Sequence, residues 1–126
     1  MKKQLNQVQE FNEAFGIEYS DKPTLIESKD WFLRFRLLQE ELDEYADACG
    51  DGDLTEVADA LGDMLYVLCG TILAHGMQDK IEEVFDEIHR SNMSKLENGK
   101  PIYREDKKVL KGKDYFPPNI KAILDK

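Results

Sequence analysis

Ten acidic residues stand between positions 40 and 63, and no Lys or Arg stands among them. Carboxylates in such numbers can hold a divalent cation or take a proton from water. An oxygen-only ligand set with no accompanying His or Cys pair favours Mg²⁺, or Mn²⁺ as the alternative, over Zn²⁺. The ten residues are Glu40, Glu41, Asp43, Glu44, Asp47, Asp51, Asp53, Glu56, Asp59 and Asp63.

Helical spacing indicates which of these acids share a face. At about 100° per residue, Glu41 and Glu44 lie beside the main apolar stripe of one helix, whereas Asp43 and Asp47 point away from it and are interpreted as surface groups. That stripe, the predicted core face, consists of Phe35, Leu38, Leu42, Tyr45 and Cys49.

The next helix carries its acids on a face of its own, at spacings of three and four. The face holds Glu56, Asp59 and Asp63 and continues as Val67, Gly70 and Ala74, so we expect neighbours to cover it. Its main apolar stripe is Leu54, Val57, Leu61, Leu65, Leu68 and Ile72. Carboxylates on a covered face require a multivalent cation. The alternative is an ordinary solvated face, which the absence of Lys or Arg at i+4 positions disfavours.

Residues that typically begin or end helices predict the bounds of the helices that carry these faces. Helices are expected over 3–15, ended by Gly16, over 30–49, and over 54–74 after an Asp53 cap. A fourth helix is expected over 79–95, then an irregular tail and a short helix over 120–124. The fold class predicted is all-α, a compact bundle of four to five helices with an irregular C-terminal tail, forming one domain over residues 1–126.

The fourth helix and the tail supply candidate substrate contacts. Ile81, Val84, Phe85 and Ile88 are predicted to face inward, and the same face continues to Asn92 and Lys95. We interpret this amide and ammonium as a substrate clamp, with helix-end capping and a snorkelling lysine as the alternative. The basic tail residues, Arg104, Lys107, Lys108, Lys111 and Lys113, could reach a polyphosphate.

Charge and hydropathy exclude several partners. A net charge of −9 disfavours nucleic acid and anionic membranes. No run of apolar residues approaches the roughly 18 to 20 that cross a bilayer, and the polar N-terminus is unlike a secretory signal. The two cysteines have no metal-type spacing and are expected to be reduced and half-buried. We therefore expect a cytoplasmic protein.

Several motifs together resemble a known superfamily. The sequence reads EELDE at 40–44, EVAD at 56–59 and GDMLY at 62–66, then HRSNMSK at 89–95 and KVLKG at 108–112. Their order and spacing resemble the all-α nucleoside triphosphate pyrophosphatases. The similarity is to the MazG-like branch that resembles phosphoribosyl-ATP pyrophosphohydrolase.

The resemblance implies a site and an activity. It implies Mg²⁺ held by Glu41 and Glu44 and by two acids of the next helix, a Glu40 that orients or deprotonates water, and substrate contacts from Asn92 and Lys95. The implied reaction converts a nucleoside triphosphate, such as dUTP or another non-standard nucleotide, to the monophosphate and pyrophosphate. The alternative substrate is phosphoribosyl-ATP, in histidine biosynthesis. The resemblance also implies a homodimer or homotetramer formed through helix faces.

The sequence departs from the family pattern at one position. The motif places a Glu three residues before Asp63, but position 60 is Ala. Either Asp59 partners Asp63, which we favour, or the ligand pair is Glu56 with Asp59.

Two other functional classes compete with a hydrolase. A non-enzymatic acidic helical module that binds a partner protein would explain the charge but not an inward Asn92 and Lys95. A di-iron carboxylate bundle would need two ExxH motifs, and the chain offers only Asp86 before His89.

Overall fold

Five helices and one short hairpin make up the chain, in a computed structural model that describes all of residues 1–126. In chain order they are α1 (Lys2–Phe15), α2 (Ser28–Gly50), α3 (Leu54–Ala74), α4 (Ile81–Met93), β1 (Ile102–Tyr103), β2 (Val109–Leu110) and α5 (Ile120–Leu124). The all-α class is confirmed. The chain divides into two compact units, residues 1–79 and 80–126, and the single-domain organisation stays a prediction.

The predicted helix ends are confirmed where a specific residue sets them. Gly16 ends α1 in the left-handed conformation with a φ of 68°, which glycine adopts without steric cost. The Asp53 carboxylate caps α3 by accepting a hydrogen bond from the Glu56 backbone N–H at 3.1 Å. Helices α2 and α4 have no side-chain cap at their first turn, and there the predicted and observed bounds differ by two residues.

In the first unit, α3 packs between α1 and α2, and its buried side chains include Cys69 and Leu73. The predicted core stripes of α2 and α3 are mostly wrong for the single chain: Phe35, Leu42 and Leu61 are each about half exposed, although Ile72 of the α3 stripe is buried. The acid-bearing face of α2, which also holds the buried Ala48, packs against α3 instead. Helical periodicity identifies a face that will be covered, but it does not identify which surface covers it.

Cys49 also differs from its prediction, because it is exposed, whereas Cys69 is buried; both are free thiols. Helix α3 is long and apolar enough to span a membrane, with a mean hydropathy of 1.6 over its apolar window. The expectation that no segment reaches that length therefore holds only for uninterrupted apolar runs, since Asp59 and Asp63 interrupt this one. The core helix of a soluble protein meets the same criterion.

In the second unit, α4 packs against α5, and the inward face predicted for α4 is confirmed only in part, because Ile81 and Val84 are half-buried. Phe85 is 66% exposed and Ile88 is 40% exposed. Ser91 is instead buried, and its hydroxyl donates to the Phe116 carbonyl at 2.8 Å. The apolar spacing did not reveal this contact because a polar residue makes it.

The predicted irregular tail contains a small antiparallel hairpin. Ile102 pairs with Leu110 and Tyr103 with Val109. Strands of two residues are too short to display the alternation by which a sequence reveals a strand. The rest of the tail, up to the short helix α5, is irregular as predicted.

Candidate metal centre

Three carboxylates converge where α2 and α3 pack together. Glu41 and Glu44, one turn apart on α2, and Asp63 on α3 each offer an oxygen, and these oxygens lie within 4.8 Å of one another. The two helices run antiparallel, so the acid-bearing turn of one lies opposite the acid-bearing turn of the other. The structure thus brings together three of the predicted ligands.

The convergence makes ionisation of the acids unfavourable. Burial raises the pKa of Glu41, and the neighbouring carboxyl of Glu44 acts in the same direction, as do the charges of Asp63 and Asp59. Burial likewise raises the pKa of Asp63, and the charges of Asp59 and Glu44 add to the rise. No cationic side chain is among the groups that shift either pKa.

A hard divalent cation fits this group of residues. Glu41 Oε2 is enclosed and has no hydrogen-bond partner in the protein, although buried acceptors nearly always have one. Carboxylate oxygens at this spacing are the ligands that Mg²⁺ and Mn²⁺ prefer. The cluster could therefore hold a metal ion, with the free Oε2 of Glu41 as one ligand atom.

The other acids of the predicted site differ in their placement. Asp59 is exposed and close enough that its charge raises the pKa of both Glu41 and Asp63. Glu56 is outside the group of converging oxygens, and its backbone belongs to the α3 cap. Glu40 is exposed and also outside that group. The geometry thus brings Asp59, rather than Glu56, to Asp63.

The predicted substrate contacts all belong to the second unit. Asn92 is exposed, and Lys95 is half-buried with its backbone carbonyl accepting from the Gly112 N–H at 3.0 Å. Arg104 pairs with Asp106, its Nε donating at 2.9 Å. The Lys111 ammonium lies 4.7 Å from the centre of the Tyr115 ring. Arg104 and Lys111 thus have partners of their own, and a substrate would have to compete with them.

Sequence reasoning missed one cation in the first unit. Arg34 Nε donates to the Thr71 hydroxyl at 3.1 Å, and its Nη2 donates to the Val67 carbonyl at 2.8 Å. The side chain bridges α2 to α3 and makes no ion pair. A signal existed: Arg34 precedes Glu41 by seven residues, which places both on one face of a helix.

The fold is mostly helical, and carboxylates converge from two antiparallel helices. These features define the protein as an all-α protein with a candidate cation-binding site. A family model for phosphoribosyl-ATP pyrophosphohydrolase matches residues 8–92. The chain belongs to this family, which is part of the MazG-like nucleoside triphosphate pyrophosphatase superfamily. No curated protein matches the chain. The chain is thus a pyrophosphohydrolase of the MazG-like kind, and the resemblance drawn from its motifs is confirmed.

Proposed function

We propose that this protein hydrolyses a nucleoside triphosphate to the monophosphate and pyrophosphate, with Mg²⁺ bound by Glu41, Glu44 and Asp63. The observation that supports this proposal is the convergence of those three carboxylates within 4.8 Å. Asp59 is the fourth proposed ligand, because its charge raises the pKa of both Glu41 and Asp63. When bound, Mg²⁺ would neutralise charge that develops on the phosphates, as divalent ions do in phosphoryl transfer.

The proposed reaction is an in-line displacement. The oxygen of a water molecule attacks the α-phosphorus, and the bond from that phosphorus to the bridging oxygen breaks. Pyrophosphate leaves with the bonding electron pair, and Glu40 takes the proton that the water loses. Glu40 suits this role because it is exposed, adjoins the ligand Glu41 in the chain, and is not itself among the converging carboxylates.

The substrate contacts are proposals about the second unit. We propose that Lys95 binds a phosphate, that Asn92 contacts base, sugar or phosphate, and that Arg104 and Lys111 assist. Their supporting feature is chemical: ammonium and guanidinium groups complement a polyphosphate, which an acidic cluster alone would repel.

A second copy of the chain is the proposed cover for the exposed apolar stripes of α2 and α3. Phe35, Leu42, Leu61, Leu65 and Leu68 are each at least two-fifths exposed, and an apolar patch of this kind on a protein surface marks an interaction site. We therefore propose a homodimer or homotetramer. We also propose that the protein has no nucleic acid or membrane partner and acts in the cytoplasm.

Pyrophosphate release from a panel of substrates tests the proposed function. The panel contains dUTP, dCTP, dATP, oxidised dGTP and phosphoribosyl-ATP, each assayed with Mg²⁺ and with EDTA. We expect release from at least one nucleoside triphosphate, lost in EDTA and lost in Glu41→Gln, with helical circular dichroism unchanged. Full turnover in chelator would contradict the metal site.

Phosphoribosyl-ATP is the second candidate substrate, and the family match favours it. Release from phosphoribosyl-ATP alone would assign the protein to that biosynthetic reaction. Release from nucleoside triphosphates alone would assign it to nucleotide hydrolysis. No release from any member would support the alternative of a non-enzymatic acidic module.

A further inference from the structure

A cavity of about 660 Å³ lies in the first unit. It is bordered by the end of α1, the connection that follows, the first turns of α2 and the last turns of α3. Its volume falls within the roughly 300–1,000 Å³ typical of small-molecule sites. None of the residues that border it belongs to the acidic cluster, so it is a separate space that the metal site does not explain.

Arg34 is a wall of this cavity and is held in a fixed position. Its Nε and Nη2 are tied to α3 through Thr71 and Val67, while Nη1 has no hydrogen-bond partner within the protein. Burial lowers the pKa of this guanidinium. The structure therefore orients the side chain by two hydrogen bonds and leaves donors available to a ligand.

Gly70 makes room for the guanidinium. A Cβ at this position would lie 2.4 Å from Arg34 Nη2 and 3.3 Å from Cζ, and the first distance is shorter than van der Waals contact allows. Gly70 stands inside α3, where glycine is less favourable than alanine. The helix thus carries an unfavourable residue where Arg34 needs space.

The other polar groups of the cavity determine which ligand chemistry fits. Asn12 borders the space and is only 5% exposed. Glu18 and Asp30 also border the space, and Leu33 and Ala74 are among its apolar residues. Carboxylates beside a guanidinium disfavour a phosphate. A planar heterocycle that both donates and accepts hydrogen bonds matches this combination.

The cavity lies at a defined offset from the acidic cluster. Arg34 precedes Glu41 by seven residues on α2, and Gly70 follows Asp63 by seven on antiparallel α3. Seven residues are about two turns, or about 10 Å along the axis, on nearly the same helix face. An extended nucleoside triphosphate separates its phosphates from its base by a comparable distance.

We propose that this cavity binds the base of the nucleotide substrate, with Arg34 donating to a carbonyl or ring-nitrogen acceptor and Gly70 giving the guanidinium its place. The inference deepens the proposed function and rests on it. Arg34 and Gly70 are thereby assigned to base recognition, and the acidic cluster to the phosphates.

Titration with phosphate-free ligands tests the cavity separately from hydrolysis. The ¹⁵N-labelled full chain, without metal, is titrated with uridine, cytidine, adenosine and guanosine, and in parallel with ribose 5-phosphate. We expect at least one nucleoside to shift the Arg34 Nε–H and Gly70 N–H resonances, and ribose 5-phosphate to leave both unchanged. Shifts caused by ribose 5-phosphate, or by no nucleoside, would overturn the proposal. Nucleoside binding without any hydrolysis would overturn only the proposed function.

Enzyme kinetics supply a second test through Arg34→Lys and Gly70→Ala. Loss of one charge-assisted hydrogen bond should raise KM about tenfold, with kcat within about twofold, because a base contact acts equally in ground and transition states. The inhibition constant of abasic ribose 5-triphosphate should not change. An equal loss for the abasic compound would contradict base recognition.

Two control variants match these substitutions. Arg36→Lys alters an exposed arginine two positions away on α2, and Gly50→Ala adds a Cβ that meets no atom within 4 Å. Both should keep the wild-type KM. If Gly70→Ala lacks the helical circular dichroism of the wild type, Arg34→Lys alone decides the kinetic test.

Discussion

Glu41 and Asp63, on antiparallel helices, present carboxylate oxygens within 4.8 Å of each other, with Glu44 as the third member of the group. Burial and the neighbouring acids raise the pKa of both residues. Glu41 Oε2 has no hydrogen-bond partner in the protein. A protein that only needed to fold would gain from separating these charges. A divalent cation at this point could offset their repulsion.

Removing one of the charges should stabilise the metal-free fold. We expect Glu41→Gln to raise the melting temperature in EDTA, because burial and the neighbouring acids disfavour the ionised carboxylate. Added Mg²⁺ should stabilise the wild type, by about 2.7 kcal/mol at 100 times the dissociation constant, and should leave Glu41→Gln nearly unaffected. Thermal denaturation with and without Mg²⁺ measures both effects. Equal stabilisation of the two proteins would count against Glu41 as a ligand.

Substitutions of Asp59 and Glu56, two acids of α3, should differ in their effect on the dissociation constant of Mn²⁺. We expect Asp59→Asn to weaken Mn²⁺ binding, because Asp59 acts electrostatically on both Glu41 and Asp63. Glu56→Gln should bind Mn²⁺ as the wild type does, since Glu56 lies outside the converging group. Electron paramagnetic resonance of free Mn²⁺ gives the dissociation constants. The reverse ranking would favour the Glu56 and Asp59 pair.

Acid should destabilise the second unit through Glu87. The Arg90 guanidinium, and then the backbone N–H of Asn119, lower the pKa of Glu87 from 4.5 to about 2. A lowered folded-state pKa contributes stability above 4.5 that is lost as the pH falls toward 2. We therefore expect wild type to lose more stability than Glu87→Gln between pH 5 and pH 3.

Urea unfolding of both proteins, at several pH values in that interval, measures the difference. Glu105→Gln, which alters an exposed carboxylate of the same unit, is the control and should follow the wild type. Parallel pH profiles for wild type and Glu87→Gln would show that Glu87 is not held ionised by Arg90.

The exposed stripe of α2 should control association. We expect Leu42→Lys to lower the molecular mass measured by light scattering at micromolar concentration, because a charge cannot be buried unpaired in an apolar interface. Asp47→Lys places the same side chain on the opposite side of α2 and should leave the mass unchanged. A monomeric wild type would contradict the proposed oligomer.

Local sequence was sufficient to predict the helices. Gly16 and Asp53 act within a few residues of the chain, through a left-handed backbone and a capping carboxylate, and both were recognisable in advance. The spacing of Glu41 and Glu44, and of Asp59 and Asp63, likewise follows from helix geometry alone. The β1–β2 hairpin escaped prediction because its strands are too short to form a pattern.

Only the tertiary structure determined which faces meet. The sequence marked two faces on α2, one apolar and one acidic, but the acidic face packs on α3 while Phe35 and Leu42 stay about half exposed. The bridging Arg34 and the space at Gly70 depend on that choice. Periodicity records that a helix has faces to cover, whereas the pairing of faces depends on contacts between residues far apart in the chain. The sequence was thus sufficient to identify the acidic residues and the helix faces that carry them. Their convergence was determined by how α2 packs on α3.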